Sequence, residues 1–401
     1  MPVQEKRIEG SGEMKVILDV PQFVERPLGM QVYTEHVIKE ILKSSPADWR
    51  FSIQTVGWRG RHSHSTRMRQ VVDSSKAESR CVPVPLRFYE KFVKLDVANI
   101  AAHLYHADVI HSFGWRMLPK TRAPVVVTIQ DVIPIRLLEG DHQFIERTKA
   151  ILGSLIKQAA AIITISDFSR REIAEVFGIS ESRIDVIPDG VDLRRYKPIT
   201  PEAEADGVAS LMKLGITRPY FLHKGGSTKR KNKPNLIRAF DRFKKEHKTD
   251  HQLVLAGGDS LDDESSQALA DCAHARDVLN VGYVTADDSV RLLQLAQALV
   301  FPSTYEGFGL PPLEAMACGV PVAMSNVSSL PEVGGEAAVY FDPYSPEEIA
   351  DALWRISTDN ALRVKCVKSG LARSQAMTWE RNARSTIDIY NRVCRPSVCS
   401  I

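Results

Sequence analysis

The 401-residue chain lacks the features that mark several functional classes. Its six cysteines (Cys81, Cys272, Cys318, Cys366, Cys394 and Cys399) are scattered, without the paired spacing of a zinc or disulfide framework. No apolar run approaches the about 20 residues that a membrane-spanning helix needs; APVVVTI, among the longest, is strand-sized. The first residues, MPVQEKRIEGSGE, have no apolar centre, so they read as a leader (1–13) rather than a secretory signal. Low-complexity tracts are missing, and a net charge of +3 gives no electrostatic argument for nucleic acid. The expectation is a cytoplasmic protein with reduced thiols.

What is present is alternation. The composition, 44% hydrophobic and 25% charged, is that of a globular protein, and the length favours two domains. Strand-like runs at 14–20, 107–112, 123–131 and 160–166 are interleaved with helical patterns such as 30–43 and 168–178. In the second helix Ser166 or Asp167 is the expected cap and Gly178 the stop. The pattern restarts after a Pro- and acid-rich stretch, KPITPEAEADG, with strands at 219–225, 251–258, 298–303 and 321–325. Such alternation predicts an α/β fold of two doubly wound, Rossmann-like domains, with ligand in the cleft at the carboxyl ends of the strands. The expected division is an N-terminal domain over 14–198, a linker over 199–215, a C-terminal domain over 216–376 and a final segment over 377–401.

The most informative run is FPSTYEGFGLPPLEAMACGVPV (301–322). A strand ends, a glycine loop follows (Gly307, Phe308, Gly309), and a helix opens at Leu310. Unpaired amides at a helix start suit an anion or sugar hydroxyls, and Pro in the first turn costs no hydrogen bond. Glu306 and Glu314, eight positions apart, are bidentate acceptors for vicinal hydroxyls. On spacing alone a glycine turn with capping and exposed glutamates is an even alternative. A second run, HKGGSTKRKNKPNLI (223–237), sets Lys229, Arg230 and Lys231 before a helix. Fixed cations there would stabilise charge on a departing phosphate, although an isolated basic tripeptide is more often a solvated turn.

Together these runs resemble the retaining family 4 glycosyltransferases of the GT-B fold, and the mannosyltransferases of bacterial polysaccharide synthesis among them. TISDFSRREI (164–173), VIPDGVD (186–192), SNVSSLPEVGGEAAVYFDP (325–343) and MTWERNARSTIDIY (377–390) fall in the family's order. The resemblance implies sugar transfer from a nucleotide-diphosphate donor to a glycan or lipid-linked acceptor, with no obligatory cofactor or metal. It favours GDP-mannose weakly and leaves UDP-sugars open. It assigns Arg230 and Lys231, but not Lys229, to the diphosphate, and Glu306 and Glu314 to the donor. Gly307, Phe308, Gly309, Leu310, Val284 and Gly29 fall in donor-binding loops. It also implies a final helix crossing back to the N-terminal domain.

Two positions depart from the family pattern. Gln130 precedes Asp131 where His-Asp is common, so Asp131 stands in the catalytic set without an imidazole beside it. Asp189 replaces a common Asn and reads as a turn residue before glycine. The basic run WRGRHSHSTRMRQ (58–70) and RFYEKFVKL (87–95) suggest either a solvated loop or peripheral membrane contact through the N-terminal domain. The competing readings are a nucleotide-sugar-binding protein without turnover, and a GT-B epimerase or phosphorylase.

Overall fold

The structure, a computed structural model, describes residues 13–21, 29–57, 68, 72, 75–94, 107–138, 140–258 and 260–394. They form two parallel sheets. The first comprises β1 (Lys15–Asp19), β2 (Arg50–Val56), β3 (Ala77–Val82), β4 (Val109–Ser112), β5 (Val125–Thr128), β6 (Ala159–Thr164) and β7 (Ile184–Val186), in the order 3-2-1-4-5-6-7. The second comprises β8 (Tyr220–Lys224), β9 (Gln252–Ala256), β10 (Val278–Gly282), β11 (Ala298–Phe301), β12 (Val322–Ser325) and β13 (Ala338–Phe341), in the order 10-9-8-11-12-13.

Central strands such as β5 (VVVT) and β11 (ALVF) are buried at every residue, because helices cover both faces of a parallel sheet. Each sheet reverses its winding once, between β1 and β4 and between β8 and β11. Loops leaving the two strands at such a point diverge and open a crevice, which is where doubly wound folds bind ligands.

The helix Asp167–Phe177 shows how local chemistry fixes an element. Ser166 is its cap, accepting from the Ser169 amide, and Gly178 ends it in the left-handed region at φ 62°. The stretch expected as a linker is instead a helix, Pro201–Met212, started by Pro201 with Glu202 and Glu204 in its first turn. Arg291 on the helix Ala286–Gln294 ties to it, donating to Ser210 Oγ at 2.9 Å.

The last helix, Trp379–Cys394, packs on the N-terminal sheet. Asn382 donates to the Pro188 carbonyl at 2.8 Å, and the Tyr390 hydroxyl meets His111 Nδ1 at 2.6 Å. Trp379 stacks on His36 at 5.2 Å between ring centroids. One hydrophobic cluster joins the two halves: Val16, Leu18 and Tyr33 belong to the same buried group as Phe308, Leu313, Val333 and Trp379.

Candidate functional site

The loops leaving β8 and β11 meet over the second crevice. After β8 the chain turns through Gly225 and Gly226 into a single 3-10 turn, Lys229–Lys231, closed by Asn232 at φ 55°. Asn232 fixes this turn to the end of β11, donating to the Pro302 carbonyl at 3.1 Å and the Pro343 carbonyl at 2.6 Å. Arg230 and Lys231 therefore face Glu306 in the neighbouring loop. Arg230 Nη1 donates to Glu306 Oε2 at 2.6 Å, and Lys231 Nζ to Oε1 at 2.5 Å. Lys229 points to solvent. Glu306 is 7% exposed; burial alone would raise its carboxyl, but Lys231 and Arg230 outweigh that and hold it below the ordinary range.

The glycine loop is bonded along its length. Glu306 N donates to Ser328 Oγ at 3.0 Å, and Ser329 Oγ lies 2.9 Å from the Glu306 carbonyl and 2.8 Å from that of Phe308. Phe308 is buried. Gly309 has φ 125°, and a Cβ there would also strike Leu330 at 2.9 Å, so this position needs glycine. Leu310 then opens the helix Leu310–Ala317, whose first turn carries two prolines.

Glu314, inside that helix, accepts from Lys224 Nζ at 2.5 Å. It also lines a cavity of about 180 Å³ between the domains, with Leu310, Ala286, His36, Asp192 and Tyr196. Val284 sits half-buried between β10 and the helix Ala286–Gln294. Gly29 is the exposed first residue of the helix Gly29–Ser44, with no atom within 4 Å of the position a Cβ would take. The rest of the expected N-terminal glycine loop, 22–28, lies outside the described residues.

Asp131 comes to the site from the opposite domain. Its Oδ1 accepts from Ile133 N at 3.1 Å, and its Oδ2 lies 2.8 Å from where a Cβ on Gly307 would sit. Gly307 is thus a point of close approach. Asp189 is 4% exposed; burial first, and the charge of Asp131 second, push its carboxyl well above the usual range. It is more than a surface turn residue. Gln130 is half-buried just before Asp131, and its carbonyl accepts from Thr164.

Several residues escaped sequence reasoning. Lys224 pairs with Glu314 across 90 positions, and Ser166 with Gly307 across 141; no local period reports such distances. His223, wholly buried under Gly225, is pushed down to about 3 by burial and stays neutral. After β9, Asp262 caps the helix Asp263–Ala270, accepting from Ser265 N at 2.7 Å. Among the described residues no cluster of His, Cys, Asp and Glu has metal-binding geometry.

Two family models match this chain. Residues 29–195 match "Glycosyltransferase Family 4" and residues 212–373 match "Glycosyl transferases group 1". The chain belongs to the family 4 glycosyltransferases. It is 34% identical over 241 residues to the O-antigen chain mannosyltransferase B of Escherichia coli, covering 60% of this chain and 62% of that protein. It is 29% identical over 316 residues to the serotype-specific mannosyltransferase WbdA of E. coli, covering 75% of this chain and 38% of that one. The chain therefore spans less than two thirds of the length of both. Among solved structures, a glycosyltransferase from Rickettsia africae superposes with a TM-score of 0.73 at 16% identity, over 96% of this chain and all 100% of that one. HepE from Anabaena, in complex with UDP and glucose, superposes at 0.72 and 17% identity, over 94% and 100%. These likenesses establish the GT-B fold for this family 4 member.

Proposed function

We propose that the chain transfers a sugar, with retention of anomeric configuration and without a metal, from a nucleotide-diphosphate donor to a glycan or lipid-linked acceptor in polysaccharide synthesis. The observation that carries this reading is Glu306 held between Arg230 and Lys231 at a crevice of the second sheet. When the donor's C1–O bond breaks, negative charge grows on the departing phosphate. Cations fixed within reach of that oxygen favour the transition state over the ground state. Arg brings a planar fork and Lys a point charge. The Leu310 helix start adds the Leu310 amide and the positive end of the helix dipole, since Pro311 and Pro312 carry no N–H. Glu306 orients the sugar, and Glu314, beside the interdomain cavity, takes the ribose hydroxyls. The acceptor oxygen attacks C1 from the face the diphosphate leaves, and its proton passes to the leaving phosphate oxygen. No step draws a proton from residue 130, so glutamine is tolerated there.

Mannose from GDP-mannose is the preferred donor, supported by the mannosyltransferase relatives; a UDP-sugar is the second reading, supported by the UDP-bound fold neighbour. A thermal-shift screen against GDP-mannose and UDP-glucose separates them, since a ligand that binds only the folded state raises its melting temperature. Proton NMR of the first-formed product then reads its anomeric configuration. An inverted product, or no shift with either donor, removes the reading.

We also infer peripheral membrane contact. No helix among the described residues is long and apolar enough to cross a membrane. The helix Leu86–Lys94, however, exposes Phe88 (59%) and Phe92 (54%) one turn apart, beside Arg87 and Lys91. Exposed rings flanked by cations suit an anionic bilayer surface. The other expected basic segment, 58–70, lies outside the described residues apart from Met68. Phosphatidylglycerol vesicles should cosediment the wild type and release the Phe88→Ser/Phe92→Ser variant; equal retention contradicts the contact.

A further inference from the structure

The loop that carries Glu306 is held from both domains. Its own domain supplies Arg230, Lys231, Ser328 and Ser329, as described. The other contacts come from the helix Asp167–Phe177 of the N-terminal domain. Ser166 Oγ donates to the Gly307 carbonyl at 2.7 Å and Ser169 Oγ to the same oxygen at 3.2 Å. Both serines are buried, 2% and 1% exposed. Glu172 of that helix accepts from the Tyr305 hydroxyl at 2.5 Å. In return, Glu332 of the C-terminal domain accepts from the first amides of the helix, Asp167 N at 2.8 Å and Phe168 N at 2.7 Å.

This arrangement satisfies two sets of groups at once. A helix start leaves amides without intrahelical partners. Ser166 takes the Ser169 amide, and Glu332 takes two more from across the domain boundary, where the helix dipole favours a carboxylate. Gly307 in turn directs its carbonyl at the two serines while its Cα abuts Asp131. The Gly307–Phe308 peptide is therefore fixed by the N-terminal domain, whereas the Glu306 carboxylate and carbonyl are fixed by the C-terminal one.

We propose that Ser166, Ser169 and Glu332 are positioning residues, which hold the Gly307 carbonyl and so set the backbone on which Glu306 turns toward the donor. Glu306 is aligned only while the two domains are docked through this clasp. The assignment rests on the reading of Glu306 as the donor-orienting residue. The clasp lies outside the Arg230–Lys231 pair, so it governs turnover rather than grip on the nucleotide.

Two readouts on the full chain test it. In hydrogen–deuterium exchange of the Ser166→Ala/Ser169→Ala variant, peptides covering 303–310 should exchange at least tenfold faster, with those of β8 and β9 unchanged. In calorimetry the dissociation constants for UDP and GDP should move less than threefold, while kcat per folded molecule falls tenfold or more. A purely structural role lowers the melting temperature but leaves kcat and local exchange of the folded protein intact, and that result overturns the proposal. So does a loss of nucleotide affinity as large as the loss of kcat. Glu332→Gln, which keeps one acceptor oxygen, should give a smaller effect in the same direction. If the serine variant does not fold, Glu332→Gln decides, and unchanged exchange over 303–310 in that variant rejects the clasp. If the wild type neither binds nor turns over a nucleotide sugar, the functional reading falls while the exchange data still settle the clasp.

Discussion

Glu306 is surrounded so completely that a change of one atom has a defined outcome. Replacing its carboxylate by the isosteric amide, Glu306→Gln, leaves Arg230 and Lys231 facing a neutral group in a site only 7% exposed. Turnover should fall by about 100- to 1,000-fold, the usual cost of losing one transition-state contact, with a smaller change in donor affinity. Initial rates read both, and near-normal kcat contradicts the role. Lys224→Ala removes the cation bonded to Glu314 and should raise the donor's dissociation constant severalfold by calorimetry; an unchanged constant excludes Glu314 from the ribose. Arg230, Lys231, Glu306 and the glycine loop were visible in sequence because they lie within short, chemically odd runs: EGFG before two prolines, KRKN after two glycines. Their partners were not. Lys224 lies at the end of a hydrophobic strand and Ser166 at a helix cap, so local chemistry already accounts for both.

Elements were legible where their own residues specify them. Apolar runs marked β1, β4, β5, β6, β8, β9, β11 and β12 but not β2, β7, β10 or β13, and Ser166 or Asp167 with Gly178 bounded a helix by capping alone. β3 was not legible: its sequence, AESRCV, is largely exposed or half-buried, so no hydrophobic period marks it. The Pro201–Met212 helix was not legible because proline and acid are common to linkers and to helix starts alike. The docking of the last helix depends on one position outside it. A Cβ on Gly190 would meet the backbone nitrogen of Trp379 at 2.1 Å, and backbone cannot step aside as a side-chain tip can. Gly190→Ala should lower stability in urea by more than about 2 kcal/mol, since overpacking a close contact forces the backbone apart. A loss under half of that means the helix yields.

For the whole molecule, acid sensitivity follows from two buried imidazoles. Burial pushes His111 and His223 down to about 3, against an ordinary 6.5. Below pH 6.5 the unfolded chain takes protons that the folded chain refuses. Each histidine's contribution is therefore complete above pH 6.5 and shrinks by about 1.4 kcal/mol per pH unit as pH falls toward 3. Asp19 acts in the opposite sense: burial raises it to about 6 despite Arg116, so protonation between pH 6 and 3.8 favours the fold. The clean test is a difference. Between pH 7 and 5 the stability of His223→Gln should fall less than that of the wild type, and parallel curves contradict the buried neutral imidazole. The two-domain frame itself was readable from the restart of the strand–helix alternation. The way the domains clasp was not, since Glu332 meets Asp167 across 165 positions. The central claim, sugar transfer driven by cations on a departing diphosphate, is tested most directly by nucleoside-diphosphate release from GDP-mannose and UDP-glucose with an oligosaccharide acceptor, comparing the wild type with Lys231→Ala. The account predicts release by the wild type from one donor and a loss of at least 100-fold in the variant; equal release by both proteins, or none from either donor, contradicts it.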